Sequence, residues 1–219
     1  MELHQIEAYI DSPNPQDRMK AITELRYHLP SVVVPLLRRR MRDQEFIIRS
    51  FVAMGLGSKR TEEAFEALLD LIKYDSDPNV RAEAANSLAK YGQRSFPHLL
   101  QLFERDSHWL VRQSILAAME GTNRPEIILQ MCRWGVEGDD PVVRETAIAT
   151  LGQLQGTPQE VDALTILLSL ATSEAVAIRA QTARVLRHFD DPRAQAALMK
   201  LRQDSDYRVV GVTLEGLVQ

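Results

Sequence analysis

Apolar side chains recur along this chain three and four residues apart, the spacing that makes one buried face of an α-helix. The runs are plain in Ala64, Leu68, Leu69, Leu71 and Ile72, in Leu99, Leu100, Leu102 and Phe103, and in Leu164, Leu167, Leu168 and Ala171. After each run stands an arginine that returns at a nearly fixed interval. Arg18, Arg49, Arg81, Arg112, Arg144, Arg179 and Arg208 are separated by 31, 32, 31, 32, 35 and 29 residues. The columns around it are as regular. Just before it come Asp17, Ile48, Val80, Val111, Val143, Ile178 and Tyr207, and four after it Ile22, Ala53, Ala85, Leu116, Ile148, Ala183 and Val212. Seven after it come Leu25, Leu56, Leu88, Met119, Leu151 and Leu186, a column that Glu215 breaks.

Two apolar stripes per period predict seven helical hairpins. Each has a first helix, A, upstream of the arginine and a second helix, B, that carries it. Their bounds are roughly 1–29, 30–59, 60–92, 93–122, 123–156, 157–189 and 190–219. No evident strand interrupts them. Hairpins that cannot close a core alone stack on their neighbours, so the expected fold is all-α, one α-solenoid domain over 1–219 wound as a right-handed superhelix.

Pro35, Pro97, Pro125, Pro158 and Pro192 fall near the expected starts of A helices, where a missing N–H matters least. Gly92, Gly152 and Gly156 are read as helix ends or turns. The A-to-B turns carry Asp43, Asp75, Asp77, Asp106, Asp139, Asp140 and Asp204, placed to cap the helix that follows. The recurring arginine is read as reaching the acidic turn of an adjacent repeat, a ladder of charge-assisted bonds with a structural role.

Composition narrows the function. A net charge of −4 gives no global field toward nucleic acid, so no nucleic-acid partner is expected. The single Cys132 excludes an internal disulfide and a Cys-rich metal site. The start Met1-Glu2-Leu3-His4-Gln5 lacks the pattern of a signal peptide, and no apolar run reaches the length of a membrane span. A soluble, cytoplasmic protein is expected.

The segments Asp77 to Ala85, Asp140 to Gly152 and Asp190-Asp191-Pro192-Arg193-Ala194 carry a distinctive pattern. It is an Asp-Pro-x-x-Val-Arg turn, small residues after it, and a Leu-Gly-x-x-x-Asp-Pro-Arg-Ala exit. This resembles the HEAT repeat, in the short variety of phycobilin lyases and related cyanobacterial proteins, over nearly the whole chain. The terminal repeats depart from it, as capping repeats do. The resemblance implies a scaffold or adaptor that assembles, remodels or degrades a phycobilisome or another photosynthetic complex, peripheral to thylakoid complexes. The alternative it implies is a bilin lyase or isomerase component holding a tetrapyrrole chromophore.

No catalytic or metal-binding residue emerges. His4, His28, His98, His108 and His188 lie in different repeats, none with a second histidine at helical metal-binding spacing. A solenoid similar to deoxyhypusine hydroxylase would need repeated His-Glu pairs, and none is present. The cluster Arg38-Arg39-Arg40-Met41-Arg42 is read first as cations at a helix C-terminus, second as a site for an acidic partner.

A protein partner is expected on the concave face, which the B helices of such a stack line. There Lys20 and Thr23, Glu83 and Asn86, and Gln181 and Arg184 are polar, two and five residues after the arginine. Repeat two instead carries Phe51 and Met54, with Ile47 one turn earlier, and repeat four enters helix B through His108, Trp109 and Leu110. Phe46 stands in the same register as Trp109; both residues either anchor a partner or fill the gap between helices.

Overall fold

The computed structural model describes residues 1–215. It contains fourteen α-helices and no strand among those residues. In chain order they are α1 (Leu3–Ile10), α2 (Pro15–Glu24), α3 (Pro30–Arg38), α4 (Phe46–Lys59), α5 (Glu62–Tyr74), α6 (Pro78–Ala89) and α7 (Phe96–Arg105). There follow α8 (Trp109–Ala118), α9 (Pro125–Glu137), α10 (Pro141–Leu151), α11 (Glu160–Leu170), α12 (Val176–Leu186), α13 (Pro192–Leu201) and α14 (Tyr207–Leu214). Odd-numbered helices are the A helices and even-numbered ones the B helices. The chain forms two compact units, one of Met1–Ala118 and one from Met119 onward.

In the first unit the B helices make the continuous layer. α4 lies along α6 and α6 along α8 over much of their length, while α3, α5 and α7 touch one another sparsely. Gly57 explains one of these close approaches: a Cβ there would stand 2.4 Å from the Ser87 Cβ and 2.9 Å from its Cα. Splayed A helices leave open clefts, about 870 Å³ between α5 and α7 and about 700 Å³ between α3 and α5. In the second unit α10 packs on α9 and α12, and α12 on α14.

The apolar columns are the core. Ile48, Val80, Val111, Val143 and Ile178 before the arginine are buried, as are Leu25, Leu56, Leu88, Met119, Leu151 and Leu186 seven after it. The column breaks at both ends of the array, where Asp17 is half-buried and Tyr207 is 82% exposed.

Helix starts follow their local chemistry. Asn14, Thr61, Asp77, Asp140, Asp191 and Asp206 each accept a bond from a backbone N–H of the first turn. Proline placement differs at one position. Pro35 lies inside α3, and Pro30 takes the first helical position instead. Pro35 and Ser31 are both exposed, so water meets the carbonyl that Pro35 cannot engage. Gly92, Gly121 and Gly156 turn with positive φ, whereas Gly152 is helical, with Val185 Cγ1 3.1 Å from a Cβ built there.

Candidate functional site

The arginines form a ladder of three rungs in the first unit and a single rung in the second, and the receiving carboxylates do two jobs. Arg18 Nη2 donates to Asp43 Oδ1 at 2.8 Å. Arg49 grips Asp75 through Nε (2.7 Å) and Nη2 (2.9 Å), and Arg81 grips Asp106 through Nε (2.6 Å) and Nη2 (3.2 Å). Arg179 grips Asp204 the same way, at 2.7 and 2.8 Å. Each of these arginines also donates Nη1 to carbonyls of its own turn, as Arg81 does to Asp75 and Ser76. Each receiving aspartate meanwhile caps its turn, accepting from the amides of Glu45, Asp77, His108 and Asp206 respectively. The partners raise the guanidinium pKa of Arg49, Arg81 and Arg179, and Arg179 holds Asp204 below the usual carboxylate range.

Three arginines of the series reach no carboxylate of a following repeat. Six residues before Arg144 and Arg179, where Asp43, Asp75 and Asp106 stand in earlier turns, the chain has Gly138 and Ser173. Arg112 donates to the Asp106 and Glu104 carbonyls and lies over the Phe103 ring. Arg144 leaves its buried Nε without a hydrogen-bond partner among the described residues. Arg208, in the last repeat, folds back on Asp206, whose carboxyl it pulls down to about 2.

Two of the four arginines in the basic cluster at the end of α3 are paired. Arg39 and Arg40 both sit on Asp11, in the first turn of the array, and Arg40 also lies 3.8 Å from Asp43. Arg38 and Arg42 stay exposed at the rim of the α3–α5 cleft. Sequence reasoning placed no weight on Asp11, whose only signal was its acid type at the end of α1.

The seven residues expected to meet a partner fall in four places. Ile47, Phe51 and Met54 lie four and three residues apart on α4 and so share one stripe. Ile47 and Met54 are 38% and 45% exposed, and Phe51 is half-buried. Phe46 and Trp109 open α4 and α8, in the register filled elsewhere by Pro15, Pro78 and Pro141. They sit at the turn edge, where helix B begins, about 100° around the helix from the α4 stripe. His108 is a turn residue whose Nδ1 accepts from the Leu110 amide at 3.3 Å, while its ring stacks on Trp109. Leu110 is half-buried on α8, and α6 lies between it and the α4 stripe, with Asn79, Glu83 and Asn86 in the intervening rows. One apolar strip therefore forms on α4, and no continuous patch joins it to α8.

Among the described residues no three His, Cys, Asp or Glu side chains converge to hold a metal ion. Cys132 is buried, which pushes its thiol far above the usual range. His98 rests edge-on against Phe65. No described helix is long and apolar enough to cross a membrane.

The sequence profile of HEAT repeats matches residues 4–89, 34–120, 96–175 and 134–217. No curated protein sequence matches the chain. Among solved structures, the YibA protein of Escherichia coli is similar with a TM-score of 0.65 at 15% identity, covering 97% of this chain and 80% of that one. The CpcE–CpcF complex of phycocyanin lyase from Nostoc sp. PCC7120 is similar with a TM-score of 0.55 at 18% identity, covering 97% and 94%. An engineered protein is similar with a TM-score of 0.52 at 18% identity, covering 97% and 67%. At such identities these likenesses speak for the fold alone.

Proposed function

This chain belongs to the HEAT-repeat family, and from that premise we propose that it is a non-enzymatic protein-binding scaffold or adaptor whose docking face is the outer side of α4. One observation carries the reading. In a layer where the flanking B helices offer Lys20 and Thr23 or Glu83 and Asn86, α4 offers Phe51 and Met54, with Ile47 in the same stripe. Exposed Met and aromatic side chains ringed by polar ones are the usual anchors of an interface. The proposed partner is a subunit of a phycobilisome or another photosynthetic complex, which the chain helps to assemble, remodel or dismantle. That choice is supported by the likeness of the Asp77, Asp140 and Asp190 segments to bilin-lyase repeats and by the fold shared with the CpcE–CpcF complex.

The experiment compares wild type with the double variant Phe51→Ser, Met54→Ser for binding to purified phycobilisomes. Binding should weaken about tenfold or more, with helicity and melting temperature near wild type. Parallel loss of fold and binding would show the two residues to be core. Adding phycocyanobilin separates the alternative reading, a bilin lyase or isomerase component. A shifted absorption band would favour it, and none is expected. The α5–α7 cleft is open and mixes Glu66, Asp70 and Asp106 with Lys73, Arg81 and Arg105, and Arg81 is already committed to Asp106, so its charges do not single out a pigment with two propionates.

A further inference from the structure

Beside the apolar stripe of α4 stands a carboxylate that forms no ion pair among the described residues. Glu83 on α6 and Phe51 on α4 each lie two residues after their repeat's arginine, so they occupy the same row of adjacent, closely packed helices. Glu83 is half-buried. Its only hydrogen bond among the described residues is a long one, accepted from Ser87 Oγ at 3.4 Å. No Lys or Arg among those residues comes within ion-pair distance, in contrast to the rung aspartates, each held by an arginine. Burial pushes the Glu83 carboxyl above its usual range, against the opposing pull of Lys90. The next row, five after the arginine, continues the polar border with Asn86, and α8 adds the small Ala117, beside a shallow hollow lined by Ala89, Lys90 and Ala118. The surface therefore presents a strip of three apolar side chains, a half-buried carboxylate one helix away that has no ion-pair partner among the described residues, and low ground beyond it.

A strip spaced four and three residues along one helix fits a second helix laid against it, and an anion at its border selects the charge of what lies there. We propose that the occupant of this face is a cationic amphipathic helix of a partner protein, its apolar side on Ile47, Phe51 and Met54 and a Lys or Arg on the Glu83 carboxylate. The proposal rests on the docking face assigned to α4 and adds the chemistry of what docks. Lys20 stands in the same row on the α2 side, so the charge selection acts at the α6 border, where an acidic partner residue would meet Glu83 as a like charge.

The test uses the whole chain and two labelled probe helices of roughly 18 residues, about five turns. Both carry the same Leu stripe, one with Lys and the other with Glu on the remaining positions. Affinity is read by fluorescence anisotropy and occupancy by the Met54 methyl resonance, assigned through Met54→Leu. The Lys helix should bind, shift the Met54 methyl, and lose about fivefold in affinity with Glu83→Gln. Glu63→Gln, the same charge change at an exposed site on α5, should leave it unaltered. Lys and Glu helices that shift Met54 with equal affinity would overturn the cation assignment while leaving the docking face intact. Binding of the Lys helix that bypasses Met54, or falls equally with Glu63→Gln, would show diffuse attraction to an acidic protein and overturn the proposal. If neither helix moves Met54, the helical occupant is wrong, and phycobilisome binding by the Phe51, Met54 double variant decides the docking face on its own.

Discussion

Arg60 ends α4 with φ 52° and ψ 36°, a left-handed conformation that a side chain with a Cβ resists by roughly 1 kcal/mol. The corresponding turns in other repeats use Gly92, Gly121 and Gly156, all at φ near 70°. Arg60→Gly should therefore raise stability by about 0.5 kcal/mol, the strain relieved less the entropy glycine loses on folding, seen as a higher urea midpoint. A larger gain is available at Ser173. It occupies the rung position and bonds the Ala175 amide only weakly, at 3.3 Å, while Arg144 has a buried Nε without a partner among the described residues. Ser173→Asp should complete that rung and add about 1 kcal/mol. The same change in an Arg144→Met background should add less than half as much, because no guanidinium remains to receive it.

At the scale of the element, the hairpins were legible because their signal is redundant. Three apolar columns repeated over seven repeats fix the buried face of α4, α6, α8, α10 and α12 regardless of any single residue. Pro35 misled because proline marks helix starts only where a carbonyl one turn back is not already committed, and an exposed short helix tolerates it inside. The candidate site was legible only in part. Ile47, Phe51 and Met54 could be grouped by helical spacing, but Phe46 and Trp109 share the proline register, a turn position that spacing along helix B cannot distinguish from its face. Glu83 passed as a polar border residue, since the absence of an ion pair among the described residues depends on what neighbouring helices place nearby. Two glycines of α4 also separate by what they face. A Cβ at Gly55 meets the tip of the flexible Leu37 side chain at 2.7 Å, whereas at Gly57 it meets Ser87 Cβ at 2.4 Å and backbone behind it. Gly57→Ala should cost about 2–3 kcal/mol by forcing α4 and α6 apart, and Gly55→Ala about 1 kcal/mol or less. Thermal melts of the two variants rank them, and equal melting temperatures would contradict the close approach at Gly57.

For the whole molecule, acid is the condition that reaches many paired carboxylates together. Arg179 holds Asp204 below its usual range, Arg208 takes Asp206 to about 2, and Arg193, Arg94 and Arg124 lower Asp191, Glu62 and Glu126. A carboxyl with a lower pKa folded than unfolded stabilises the fold while both states are ionised. That contribution is complete above roughly pH 4–5 and is lost as pH falls through the folded values toward about 2. The melting temperature should accordingly hold near neutrality and fall progressively below about pH 4. Arg208→Ala should flatten the lower part of that fall, since Asp206 then titrates nearer its unfolded value. The backbone amide of Arg208 still bonds it, so some slope should persist.

The rungs also give the array a sense of direction. The third repeat receives a guanidinium from behind at Asp75 and sends one forward from Arg81, so it has unlike ends. A tandem copy of residues 60–92 placed after the original would find its aspartate under Arg81 and offer its own arginine to Asp106, growing the stack head to tail. A hairpin turned end for end would bring guanidinium against guanidinium. Duplication in register is thus the one way of lengthening that the charges favour, as with magnets laid in a row.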